Sequence, residues 1–211
     1  MKYKHSYWII LKPFIKKYLR MNFDKNSTKI IFKKAKAEYK HLISKAEDIG
    51  YNNPMASNLY FSLLFVSFLT SNRDKFTEDM LAEMIESILN SSFAKKIYRV
   101  DLNKEKDMER LKKRIRKNAE WAEKNRTKYP ENWDYNFEGR YKDGCYYYFT
   151  KCPIAKFFKE NNLENLTYIF CDTDYISFRN IKGRLIRQCT LAKGDDKCDF
   201  WIVGDRVKNP H

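Results

Sequence analysis

The sequence predicts an α+β protein, with an N-terminal helical half followed by an antiparallel sheet of two β-hairpins separated by two helices. Three observations carry this reading. Up to about residue 126 apolar residues recur at three- and four-residue spacing, with few turn signals. Beyond Pro130 the period changes to alternation. The turn sequences Lys142-Asp143-Gly144 and Lys193-Gly194-Asp195-Asp196 each stand between two runs that can pair. The 211 residues suit one domain or two small ones sharing a core, with 1–126 as the mainly helical region and 127–211 as the α+β region.

Each element has its own signal. Between Ser27 and Ile49 the residues Ile31, Ala35, Tyr39, Leu42, Ala46 and Ile49 line one helix face, with Ser27 as cap and Gly50 just past the end. The turn Asn52-Asn53-Pro54 leads into a helix over about 55–70. Its apolar run, Leu59 to Leu69, is far short of the ~20 residues needed to span a bilayer and reads as a core helix. Thr77 caps a helix through about Ser91, and Phe76 staples onto Leu81. The stretch 104–126 is highly charged around a narrow stripe of Met108, Leu111, Ile115, Ala119 and Ala122, as a helix lying on the surface would be. Trp133, Tyr135 and Phe137 alternate with polar residues, and CYYYFTKC returns as the second strand of the first hairpin. Pro153 opens a helix of about 153–160, and another spans 164–178. The last hairpin pairs 184–191 with 198–203.

The formal charge of +15 is uneven: residues 1–50 hold 13 Lys/Arg against 4 Asp/Glu. Basic chains of this kind bind nucleic acid or simply carry a solvated surface. Lys outnumbers Arg 30 to 12, and no zinc finger, glycine-clamped loop or aromatic RNA-binding motif is present, so nucleic acid is not the expected partner. Lys12 and Pro13 break the N-terminal apolar patch and no small-residue cleavage pattern follows. A cytoplasmic location, no membrane association and compatibility with a homo-oligomer are the expectations.

All five cysteines, Cys145, Cys152, Cys171, Cys189 and Cys198, fall in the last third. An odd count without an export signal argues against a disulfide framework and for a thiol or metal site. Cys152 precedes a proline-initiated helix, where the N-terminal amides stabilise a thiolate; a small cysteine ending a strand fits the same spacing. Cys171 and Asp174, three apart, share a helix face, so the carboxylate can orient the thiol or act as its base; core thiol and surface carboxylate is the other reading. On the last hairpin Gly194 suits a positive-φ turn, and Cys198, Phe200 and Ile202 alternate onto one face. Arg187 suits either a structural salt bridge or a clamp for a substrate carboxylate. The histidines, His5, His41 and His211, are too scattered for a metal motif or a serine triad, and no cofactor is indicated.

The segments YYYFTKCPIAKFFKE, LENLTYIFCDTDY and RLIRQCTLAKGDDKCDFWI, in this order, resemble the C-terminal signature of the L-2-amino-thiazoline-4-carboxylic acid hydrolase family. By position the resemblance maps the family cysteines onto Cys152, Cys171 and Cys198 and the family aspartate onto Asp174. Lys156 departs from the carboxylate of many relatives. The resemblance implies hydrolysis of a small-molecule cyclic amidine at a C–N bond, linked to cysteine formation. Cys171, Asp174 and Cys152 would be catalytic, and Arg187, Thr190 and Cys198 would bind substrate. A non-catalytic small-ligand or metal-binding sensor is the alternative use of such a pocket.

Overall fold

The computed structural model describes residues 1–97 and 99–211. The chain forms two compact units, residues 1–89 and residues 90–211. The charged helix expected to close the helical region therefore belongs to the second unit.

The first unit contains α1 (His5–Asn22), α2 (Lys25–Lys45), α3 (Ala56–Thr70) and α4 (Glu78–Leu89). The cap of α2 is Asp24, not Ser27: its carboxylate accepts the amides of Asn26 and Ser27 at 2.8 and 3.0 Å, and the helix starts at Lys25. At α4 the expected cap is present, with the Met80 amide donating to Thr77 Oγ1 at 3.2 Å, and both staple residues, Phe76 and Leu81, are buried. Apolar all round, α3 buries Leu59, Leu63, Leu64, Val66 and Phe68 and packs chiefly on α2. The rings of Trp8 and Phe68 stack beside them at 5.8 Å. Among the described residues no helix is long and apolar enough to cross a membrane.

The second unit contains α5 (Ser92–Ile97), α6 (Glu105–Lys124), β1 (Cys145–Phe149), α7 (Pro153–Glu160), α8 (Thr167–Asn180), β2 (Gly183–Ile186) and β3 (Cys198–Gly204). The sheet is antiparallel with order β1-β3-β2, so both edge strands pair with the buried β3. The helix α6 lies against β1 and buries a stripe of Met108, Leu111, Ile115 and Ala122. Gly144, at φ +75°, is where the chain enters β1; a Cβ there would collide with the Ile202 carbonyl oxygen, so only glycine fits the approach.

The α+β architecture matches the sequence reading, with differences in both expected hairpins: of the strand expected over 184–191 only Gly183–Ile186 pairs with β3, because the Gln188 and Cys189 amides turn to the Asp199 carboxylate. The outer strand of the first hairpin is reduced to a single bridge, Asn136 with Tyr148. Asp134 explains the loss: its carboxylate accepts the Thr150 and Lys151 amides at 2.8 and 2.6 Å and also bonds the Thr150 hydroxyl. A side chain thus takes the donors that a strand carbonyl would have used.

Candidate active site

The pairing of β1 with β3 sets Phe149 opposite Cys198. Three residues after Phe149 the chain turns into α7, so Cys152 comes round beside Cys198. The helix α8 packs over β2 and brings Cys171 and Asp174 onto the same end of the sheet. Nineteen and 27 residues apart in sequence, Cys152, Cys171 and Cys198 are electrostatic neighbours in the fold, and the Cys171 and Cys198 side chains hydrogen-bond each other.

That bond divides the two thiols. It pushes the Cys171 thiol far up, with burial adding to the effect, and it draws the Cys198 thiol below its ordinary value against the cost of burial. The Leu191 amide donates to Cys198 Sγ at 3.2 Å, and the positive charge of Arg187 lies close by. The Leu191 amide and the Arg187 charge thus favour the anion on Cys198 more than on Cys171.

Cys152 does stand at the cap position of α7, with Pro153 in the first turn. Its thiol is nevertheless pushed up to about 11, because burial outweighs the opposing amides of Ala155 and Ile154 and the Trp133 side chain. A helix N-terminus lowers a thiol pKa only where solvation of the anion is not lost at the same time. Cys145 is buried on β1 and pushed up to about 11 for the same reason. All five cysteines are free.

Arg187 occupies the middle of the cluster. Its side chain is 2% exposed, and it donates to Asp174 Oδ2 at 2.8 Å, to the Cys171 carbonyl at 3.2 Å and to the Asp199 carbonyl at 3.0 Å. The guanidinium also sits over the Phe200 ring at 4.0 Å, and Phe200 stacks in turn on Tyr147 at 4.8 Å. A side chain so enclosed, with three of its donors on the protein, is built to position Asp174 and the Cys171 turn. Of the two sequence readings of Arg187, the geometry favours the salt bridge over the substrate clamp.

Asp174 keeps 36% of its side-chain exposure on the far side of this ion pair. Crowding by protein raises its carboxyl above the usual range, with Arg187 pulling the other way. A carboxyl with one oxygen anchored and a raised pKa can act in proton transfer at this site.

Sequence reasoning missed Asp199, which alternation placed on the opposite face from Cys198. It is 4% exposed, and its carboxylate accepts the amides of Gln188 and Cys189, at 3.0 and 2.7 Å to Oδ1. Asp195 likewise accepts the Thr190 amide at 2.7 Å. These two aspartates hold the 187–197 loop around Cys198. Thr190 is itself buried at the start of this turn. Lys156, the departure from the family pattern, lies 3.0 Å from Glu131 and 3.7 Å from Glu160. Among the described residues no three His, Cys, Asp or Glu side chains are grouped to hold a metal ion.

The fold and this cluster define a small α+β protein with a thiol pair beside an anchored carboxyl. A family model describing L-2-amino-thiazoline-4-carboxylic acid hydrolase matches residues 57–202, and the chain belongs to that family. No curated protein and no solved structure matches it.

Proposed function

We propose that the protein hydrolyses a cyclic amidine of the 2-aminothiazoline-4-carboxylate type at the ring C–N bond, using the thiol pair and Asp174. The observation that carries the reading is the meeting of Cys171 and Cys198, the latter receiving the Leu191 amide, beside the Arg187-anchored Asp174 in a chain of this hydrolase family.

In this reading Cys198 is the attacking thiolate. Its sulfur adds to the ring carbon that lies between nitrogen and sulfur, which is the electrophilic centre of the amidine. Protonated Asp174 gives its proton to the ring nitrogen, and the C–N bond breaks. The carbon is left bonded to the enzyme sulfur, the substrate sulfur and the exocyclic nitrogen. Asp174, now a carboxylate, takes a proton from a water that attacks the same carbon, and the Cys198 thiolate departs. The net change is one water consumed and one S-carbamoyl cysteine formed. Cys171 donates its hydrogen bond to Cys198 whenever the anion returns, and the Thr190 hydroxyl supplies a donor for the substrate. Cys152, held protonated, helps shape the site and is not the nucleophile.

The test is ring opening of 2-aminothiazoline-4-carboxylate by the parent, Cys198→Ala, Cys171→Ala, Cys152→Ala and Asp174→Asn, with thermal melts as folding controls. Cys198→Ala and Asp174→Asn should lose roughly 10²–10⁴-fold in turnover, Cys171→Ala less, and Cys152→Ala least. Near-parental rates in Cys198→Ala and Asp174→Asn would refute the assignment. A folded parent that binds the compound without turning it over would instead support the sensor reading.

A further inference from the structure

The first 37 residues carry ten lysines and Arg20 against a single acid, Asp24. They form α1 and the first half of α2, adjacent helices whose closeness is shown by Lys16 Nζ lying 5.2 Å from the Phe32 ring. One face of α1, with Trp8, Leu11, Ile15, Tyr18 and Leu19, is buried. The opposite face carries Ile9, Ile10, Pro13, Lys17, Arg20 and Met21, related by steps of three, four, seven and eleven residues and all exposed. Ile9 is 57% exposed, Ile10 51% and Met21 75%, while Ile30 on α2 is 44% exposed among Lys29, Lys33 and Lys34. Single exposed apolar side chains are ordinary. Three of them on one face of α1, interleaved with basic residues in a segment almost empty of acids and next to a helix with Ile30 exposed among lysines, make a surface that is basic and apolar at once.

We propose that this α1–α2 surface docks on an anionic lipid surface, with the lysines facing the headgroups and Ile9, Ile10 and Met21 entering the headgroup–acyl boundary. Each feature selects among partners. A second copy of the chain would bring like charges together, which opposes association through this face. Nucleic acid would satisfy the lysines, but exposed isoleucines gain nothing against phosphate and ribose, and base reading favours arginine, of which the segment has one. An anionic bilayer satisfies both components, because it offers negative headgroups and an apolar layer beneath them. Such docking is peripheral and needs no membrane-crossing helix.

The full chain is sedimented with vesicles of phosphatidylcholine and phosphatidylserine and, separately, with pure phosphatidylcholine vesicles, at low and physiological salt. Sedimentation with the anionic vesicles alone, weakened by salt, is expected. Ile9→Ser with Ile10→Ser should weaken it by roughly tenfold or more, since the apolar contact adds to the charge attraction. Lys17→Glu with Arg20→Glu and Lys33→Glu should abolish it. The isoleucine pair is solvent-exposed, so its melt should match the parent, and it is the deciding variant. No sedimentation, equal sedimentation with both vesicles, or unchanged binding by the isoleucine variant would overturn the proposal. So would tighter retention on single-stranded RNA or duplex DNA that the isoleucine variant leaves intact.

Discussion

Residues 1–89 and residues 90–211 hold their interiors together with different chemistry. The helical unit is filled by aliphatic and aromatic side chains, with Tyr39, Phe68, Leu63 and Leu64 fully buried and the lysines of α1 and α2 outside. The second unit buries a guanidinium, Arg187, and a carboxylate, Asp199, and carries every cysteine of the chain. Apolar burial stabilises without direction, so it tolerates substitution by shape. Buried charges stabilise only while every partner stays in place, and this fixes the positions of groups such as Asp174 and Cys198. The difference teaches where precision is located: the unit that carries the thiols is the one that buries charge.

The strongest way to break the contrast is Arg187→Ala. It removes donors from Asp174, from two carbonyls and from the face of Phe200 at once. The expected cost is about 3–5 kcal/mol, toward the lower end because Asp174 keeps access to solvent. A chemical denaturation curve should show the second unit's transition moving and the helical unit's unchanged; coincident movement of both would mean that the units do not unfold separately.

Leu63→Ala probes the other side. Leu63 is 0% exposed in the middle of α3, so deleting its side chain should leave a cavity and cost about 3 kcal/mol. Because no charge or polar partner is disturbed, the proposed ring-opening activity per folded molecule should survive, whereas Arg187→Ala should lower it through a displaced Asp174. Equal losses of activity in the two variants would erase the distinction drawn between the units.

Alkaline pH probes the buried thiols of the second unit without mutation. Burial keeps the Cys145 thiol protonated up to about 11, whereas the unfolded chain releases that proton near the ordinary thiol value of 9.0. Between those values the folded state binds more protons than the unfolded state, so stability falls as pH rises through this window. A shift of this size corresponds to about 2–3 kcal/mol. Cys145→Ala should remove the Cys145 share of that loss, leaving the share of Cys152, whose thiol is raised in the same way, and the transition of residues 1–89, which contain no cysteine, should lack this thiol component. The Cys198 thiol runs the other way: drawn down in the fold, it should alkylate at lower pH than Cys145 or Cys152, as peptide mapping after iodoacetamide treatment would read directly.

How much of this is legible in the sequence depends on how local each cause is. Pro153 marks the start of α7 and Thr77 caps α4 because both act within one turn. The cap of α2 lies three residues from its expected place because Asp24 and Ser27 are both good caps, and only the observed amide geometry separates them. The spacing of Cys171 and Asp174 on one helix face is likewise readable. That Cys198 comes to lie beside Cys171 is not, because it depends on Phe149 pairing with Cys198 and on α8 packing over β2. Nor does a sequence say whether an arginine's donors meet a ligand or, as at Arg187, the protein's own carbonyls.

The smallest expected effect sharpens the comparison inside the second unit. Gly144 and Gly194 both adopt positive φ, +75° and +87°, yet their surroundings differ. Beside Gly194 nothing lies within 4 Å of where a Cβ would stand, so Gly194→Ala meets only the backbone penalty, about 1 kcal/mol. Gly194→Asn should recover part of it, since asparagine tolerates the left-handed region. At Gly144 the same alanine adds a collision with the Ile202 carbonyl across the β1–β3 ladder, and the backbone of neither strand can give way cheaply. Thermal melts should therefore rank Gly194→Asn as the most stable of the three variants, Gly194→Ala next and Gly144→Ala last. Near-equal melts for the two alanine variants would show that the 142–145 turn shifts to admit a side chain, and that the sheet, unlike the Arg187 cluster, is held without close tolerance.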